Sequence, residues 1–220
     1  MRRILKENGL TITMLGLFAC ILVGQLLTGY RVFNDELQDH GRQALSMPQY
    51  LRSGHFIEAV FENWESEFLQ MAALVVLTKH LRQKGSPDSK PLDEKDDENA
   101  SDSVEPDSPA PAKMGGWARR IYAHSLSLAL LSLFLVSVIV HAVGGSQMYN
   151  LDQAEHGHSG QAITALQYLG TSQMWFESFQ NWQSEFLSVG VLISLAIFLR
   201  EEGSPESKPV NAPHSKTGEG

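Results

Sequence analysis

The sequence predicts an all-α membrane fold: four transmembrane helices in two tandem helical hairpins, with both termini on the cytoplasmic side. Three observations predict it. Two apolar runs are long enough to cross a bilayer, one half of the chain maps onto the other, and lysine and arginine are distributed one-sidedly.

Averages over the 220 residues hide the first of these. With 43% hydrophobic and 19% charged residues the chain resembles a soluble protein, but long polar segments dilute short apolar ones, so a window of about 19 residues is the better probe. Leu10 to Leu27 carries no charge over 18 residues, within the roughly 17–25 residues that span a bilayer. Ser125 to Val143 is a second such run, interrupted by His141. Two shorter runs, Phe68 to Thr78 and Phe186 to Leu199, would be ambiguous alone.

The internal repeat resolves them. Residues 61–91 match residues 179–209 at a constant offset of 118, with 17 of 31 positions identical. The match extends upstream, pairing Gln49-Tyr-Leu with Gln167-Tyr-Leu. An offset of 116 then pairs Gly29 with Gly145 and Phe33-Asn34 with Tyr149-Asn150. The chain therefore reads as a duplication. Residues 1–84 form the first hairpin, with spans at about 9–28 and 61–82, and residues 117–202 the second, with spans at about 121–143 and 179–200. Short interfacial helices are expected in the external segments, around 42–57 and 160–175. The acidic linker 85–116 has few apolar side chains to offset chain entropy and is expected to be disordered, as is the tail 203–220.

Orientation follows from the cations. With the N-terminus inside, 14 of the 17 lysines and arginines fall on the cytoplasmic side; only Arg31, Arg42 and Arg52 lie outside. A cleaved leader is not expected. Phe18 is bulky where a lipoprotein-type cleavage box before Cys20 would want a small residue, and the equivalent third span is internal.

The even-numbered spans carry the most informative pattern. Their apolar cores measure about 16 and 21 Å as helix, so a hydrocarbon layer of roughly 30 Å draws the preceding turns into the membrane. Those turns read FENWESEF and FQNWQSEF. Asn63, Ser66, Glu67 and Gln70 fall on one helical face, and Asn181, Ser184, Glu185 and Ser188 repeat it. Gln25 and His141 occupy equivalent positions at similar depth in the first and third spans. The candidate site is thus an intramembrane polar cluster of Gln25, Asn63, Ser66, Glu67, His141, Asn181, Ser184 and Glu185. Three readings stand open for the paired acids: a proton or cation relay, hydrogen-bonded glue between helices, or solvated residues at the outer interface beside Trp64 and Trp182.

A second repeated motif, Gly-Ser-Pro-(Asp/Glu)-Ser-Lys-Pro, follows each even span at 85–91 and 203–209. Glycine past a helix end and a following proline are explained by helix termination. The matching Ser-Lys-Pro is not; docking to a cytoplasmic partner or recent common ancestry would account for it. Gly16, Cys20 and Gly24 form a small-residue face that suits close helix approach. His156 and His158 with Asp152 and Glu155 have the residue types of an external metal site, but residues 37–40 offer only Asp39 and His40 in the other half, and no metal is expected. The chain has no P-loop, dinucleotide fingerprint, CxxC or GxSxG motif.

The tandem NWxSEFL and GSPxSKP motifs, the opening RRILKENGL and the closing KPVNAPHSKTGEG resemble an uncharacterised bacterial family of four-helix membrane proteins, a domain of unknown function. The resemblance implies the bacterial inner membrane and brings no activity. The expectation is a non-enzymatic structural or interaction protein without cofactor, its partners being the lipid bilayer, a second copy or another membrane protein, and a cytoplasmic protein at GSPxSKP, with no nucleic acid. The alternative is a small proton- or cation-coupled transporter or channel using Glu67 and Glu185.

Overall fold

The computed structural model describes residues 2–92, 104–156 and 161–218, and among these residues it is helical without a strand. The helices are α1 (Arg2–Glu7), α2 (Gly9–Asp39), α3 (Met47–Tyr50), α4 (Gly54–His80), α5 (Ala110–Met114), α6 (Gly116–Ala123), α7 (Ser125–Glu155), α8 (Ala165–Tyr168) and α9 (Ser172–Phe198). The lengths run in the same order twice: 31, 4 and 27 residues for α2, α3 and α4, then 31, 4 and 27 for α7, α8 and α9.

Three of these helices, α2, α7 and α9, are long and apolar enough to cross a membrane, with mean hydropathies of 2.2, 2.5 and 1.2 over 18 residues. α4 is long enough, at about 40 Å, but Glu62, Glu65 and Glu67 crowd its middle. The four spans of the sequence reading are thus three by composition. What the helices bury is the reverse of a water-soluble protein. Leu128, Leu131, Leu135, Leu192, Leu195 and Phe198 are exposed, whereas Glu65, Ser66, Gln70, Ser137, His141 and Ser178 are buried. In water that distribution would leave a large apolar surface wet; in lipid it is the economical one.

The chain divides into two compact units, Met1–Phe61 with Ile139–Met174, and Glu62–Val138 with Trp175–Gly220. The first unit is organised by two side-chain clamps. After α2 the chain turns at Gly41, whose φ of +69° suits glycine. The Asn34 carboxamide then donates to the Leu45 carbonyl at 3.1 Å and accepts from the Leu45 N–H at 2.7 Å. Asn150 does the same to Ile163, at 2.9 and 2.8 Å. Each clamp delivers the chain to a capping box, Ser46 with Gln49 and Thr164 with Gln167, which starts α3 and α8. Within the stretches 42–57 and 160–175 the short helices are thus four residues each, and the chain breaks again before α4 and α9.

Tyr50 and Tyr168 at the ends of these short helices are both 1% exposed. A Cβ at Gly29 would run into the Tyr50 hydroxyl and one at Gly145 into the Tyr168 ring, so each tyrosine seats on a glycine. Phe33, Leu37 and Tyr50 form the core beneath, packed by Tyr30, Leu45, Phe56 and Met148. At Gly144 a Cβ would lie 2.6 Å from the Glu58 backbone nitrogen, so α4 and α7 touch backbone to backbone there.

The second unit holds both Gly-Ser-Pro loops. Each adopts the same hydrogen-bonded turn. The Ser89 hydroxyl accepts from the Gln83 N–H at 2.8 Å, and the Ser207 hydroxyl from the Glu201 N–H at 2.9 Å. The Ser86 and Ser204 hydroxyls accept from Asp88 and Glu206 N–H at 3.3 and 3.2 Å. Gly85 and Gly203 both take φ near +80°, at +83° and +82°.

The segments expected to be disordered, 85–116 and 203–220, differ along their length, and Ala110–Met114 forms α5. Residues 93–103 lie outside the described residues. Residues 85–92 and 203–218 are built into the unit: the Arg200 guanidinium donates to the Ala212 carbonyl at 3.0 Å, and Lys208 Nζ donates to the carbonyls of Pro213, His214 and Lys216 at 3.4, 2.9 and 3.2 Å. Thr217 and Gly218 then reach the first loop. Fixed cations collecting backbone carbonyls order a segment that has no apolar anchor of its own.

Candidate functional site

In the second unit, α9 presents donors to carboxylates of α4. The Trp182 indole N–H donates to Glu65 Oε1 at 3.0 Å, and the Asn181 amide donates to Glu62 Oε1. Glu65 is 1% exposed. Trp182 is fixed by edge contacts to Phe134, Trp175 and Phe179, with centroids 5.6–6.2 Å away. An indole N–H so held is aimed before it meets its acceptor, which limits the entropy lost in making the bond.

This arrangement rotates the predicted face of α4. The expected set was Asn63, Ser66, Glu67 and Gln70. Ser66 and Gln70 are buried, but Asn63 and Glu67 are exposed, and Glu62 and Glu65 point inward instead. The shift is a little under one residue step of about 100°. The Ser66 hydroxyl turns back to the Asn63 carbonyl at 2.8 Å. On α9, Asn181 and Glu185 are half-buried as the face required, while Ser184 is exposed and bonds the Asn181 carbonyl at 2.8 Å. Glu185 lies close enough to Glu67 for their charges to interact.

The sequence contained a signal for the inward acids. Glu62 and Glu65 are the two positions at which FENWESEF and FQNWQSEF differ, their counterparts being Gln180 and Gln183. A reading built on identity between the repeats selects Glu67 and Glu185 and passes over them.

The two remaining predicted residues belong to the first unit. Gln25 is half-buried and its amide donates to the Ala59 carbonyl at 3.4 Å, a long bond. His141 is wholly buried, with a ring nitrogen within 4.8 Å of a Glu58 carboxylate oxygen. A histidine and a carboxylate are ligand types that suit a divalent transition metal. Within each unit, then, polar side chains meet across helix faces, an arrangement suited to holding helices together.

Ionisable groups outside the spans carry directional shifts. Tyr50 Oη and His55 Nδ1 are 3.1 Å apart, and His55 stacks on Phe33 with centroids 4.6 Å apart. Burial lowers the His55 pKa, with Glu36 opposing it, and burial raises that of Tyr50. His156 is raised by its hydrogen bond to Asp152 and by that residue's charge. Burial, then the charge of Arg200, lowers Lys208. Glu155, one of the residues with metal-ligand character, pairs with Arg42 at 3.3 Å, and Asp152 pairs with His156 at 3.2 Å; His158 lies outside the described residues. On α2, a Cβ at Gly16 or Gly24 would meet nothing within 4 Å, and Cys20 is exposed, so the small-residue face stands open.

No curated protein and no solved structure matches the chain. A family model does match, over residues 1–219, and with it the chain belongs to the family described as domain of unknown function DUF6766.

Proposed function

We propose that this is a four-span protein of the bacterial inner membrane, a tandem duplication with both termini cytoplasmic, acting through packing and protein contacts without catalysing a reaction. The observation that carries this reading is the Trp182–Glu65 hydrogen bond, made by a carboxylate that is 1% exposed. With Asn181 on Glu62, it engages the two inward acids of α4 as acceptors for α9. A helix whose acids are satisfied by a neighbour tolerates lipid far better than its composition suggests, which supports α4 as the fourth span. The repeated lengths, clamps and capping boxes support the duplication, and the 14-to-3 division of cations supports the orientation.

A specific observation keeps a carrier as the second reading. Glu67 is exposed, Glu185 half-buried, and they are within electrostatic reach of each other, as in a proton- or cation-coupled site. Reconstitution into vesicles separates the two. The interaction reading expects no proton-driven flux and a lower unfolding midpoint in Glu62→Ala/Glu65→Ala; flux abolished by Glu67→Gln/Glu185→Gln would establish the carrier instead.

A further inference from the structure

The two Gly-Ser-Pro loops share a sequence motif, the serine hydrogen bonds that close the turn and a glycine conformation, yet the glycine side of only one of them is covered; in the other, Lys208 is buried against residues 213–216 and the glycine side stays open. At the first loop the Gly85 N–H donates to Thr217 Oγ1 at 2.8 Å, and the Gly218 N–H donates to the Ser86 carbonyl at 3.0 Å. A Cβ at Gly85 would lie 2.5 Å from the His214 carbonyl oxygen. Gly85, Ser86, Pro87 and Ser89 are all buried under this segment. At the second loop a Cβ on Gly203 would meet nothing within 4 Å. Gly203 and Pro205 are exposed there, and an open groove of about 540 Å³ runs past Glu201, Glu202, Ser204, Pro205 and Pro209.

We infer that the second Gly-Ser-Pro loop is a docking site for a basic, extended peptide segment that presents a hydroxyl residue followed by glycine and belongs to a partner polypeptide. The first loop supplies the template: one face of the turn takes a threonine hydroxyl on its glycine N–H and returns a serine carbonyl to the next backbone N–H. The backbone turn and the serine hydrogen bonds that present the first loop to its peptide are repeated in the second. Charge selects the occupant. The second loop carries Glu201, Glu202 and Glu206, all exposed, where the first has Gln83, Lys84 and Asp88. An acidic groove favours a lysine-bearing segment, and the segment already accepted by the first loop, 211–218, has Lys216 and no acid.

A second copy of this chain is the poorer occupant. Each copy has two loops and a single 211–218 segment, which Arg200 and Lys208 already hold against the first loop. Lending it to a neighbour would uncover one loop for each loop it filled. A partner adds contacts without removing any.

The test uses the full chain in nanodiscs and a synthetic peptide of residues 211–218 as probe, followed by fluorescence anisotropy. The expected result is one peptide bound per chain. Affinity should fall at least tenfold in Glu201→Gln/Glu202→Gln/Glu206→Gln and with a peptide carrying valine for its threonine, and it should fall again as salt is raised. Gly203→Val, which fills the open position, should abolish binding while far-UV helicity is retained. Absence of binding, or binding indifferent to the three glutamates and to the peptide hydroxyl, would overturn the inference. Self-association of the protein that disappears on deleting residues 211–220 would overturn the assignment of the occupant, naming a second copy in place of a partner.

Discussion

Asn34 holds Leu45 by both polar atoms of its backbone, donating to the carbonyl at 3.1 Å and accepting from the N–H at 2.7 Å across eleven residues. The side-chain amide substitutes for a strand partner in a stretch without secondary structure, and it satisfies backbone groups that the fold half-buries. Asn150 holds Ile163 identically. The turn that brings each short helix back onto its long one therefore depends on a single side chain.

Asn34→Ala removes both bonds and leaves the Leu45 groups short of partners, which should cost about 2 to 4 kcal/mol. Asn34→Asp keeps the acceptor but sets a carboxylate oxygen against the Leu45 carbonyl at a site that is 7% exposed, so at pH 7 it should be at least as destabilising as alanine. Titrating the folded protein with SDS against a helicity readout measures both. Equal stability of Asn34→Ala and the parent would show that the clamp is incidental.

The glycines beneath the tyrosines and at the α4–α7 contact should be intolerant of any side chain. Gly144→Ala places a Cβ 2.6 Å from the Glu58 backbone nitrogen, with backbone and not a flexible side chain opposing it. Overpacking of this kind costs about 1–3 kcal/mol. Gly16→Ala on the open face of α2 is the control and should be neutral. Matched thermal melts in detergent of the two variants give the comparison.

Stability should fall on acidification through the histidine range. His55 has its folded-state pKa lowered by burial, so below about pH 6.5 the unfolded chain takes up a proton that the folded one refuses, and stability rises with pH across that window. His156 works in the opposite sense: its raised value contributes stability below about pH 6.5 that is lost as pH rises, but it is solvent-exposed and its effect is screened. His55→Phe, which keeps a ring against Phe33, should flatten the decline between pH 7.5 and 5.5. An unchanged slope would locate the titration elsewhere.

The helices were legible in the sequence and much of the site was not, for a physical reason. Helix ends carry local signals: Ser46 with Gln49, Thr164 with Gln167, and the glycines at 85 and 203 each announce a boundary within a few residues. Glu62 and Glu65 announce nothing locally. Their inward orientation is matched by Asn181 and Trp182, more than a hundred residues away, and a reading built on identity between the repeats selects what both halves share. The donors Asn181 and Trp182 have identical counterparts in Asn63 and Trp64, and it is the acceptors Glu62 and Glu65 that lack theirs. The ordered tail escaped for the same reason, since Thr217 meets Gly85 across 132 residues. The repeated serines, which helix termination alone left unexplained, turn out to close the turn by accepting the Gln83 and Glu201 N–H groups.

The proposed topology can be read from both sides of the membrane. Cysteines introduced at Lys84 and Glu202 in a Cys20→Ser background should react with an impermeant maleimide only when the cytoplasmic face is open, and one at Ala154 only from outside. Labelling of positions 84 and 202 only from outside, with 154 labelled only from inside, would mean that α4 does not cross.

The bond between Trp182 and Glu65 carries the central claim, and a double-mutant cycle measures it most directly. Trp182→Phe, Glu65→Ala and the pair, unfolded by SDS in bicelles, yield a coupling free energy free of each residue's other contacts. The account predicts that Trp182 and Glu65 are coupled by about 1 kcal/mol or more, in the range for hydrogen bonds inside membrane proteins. Additive losses, with no coupling beyond error, would contradict it and leave the buried carboxylate available for another role.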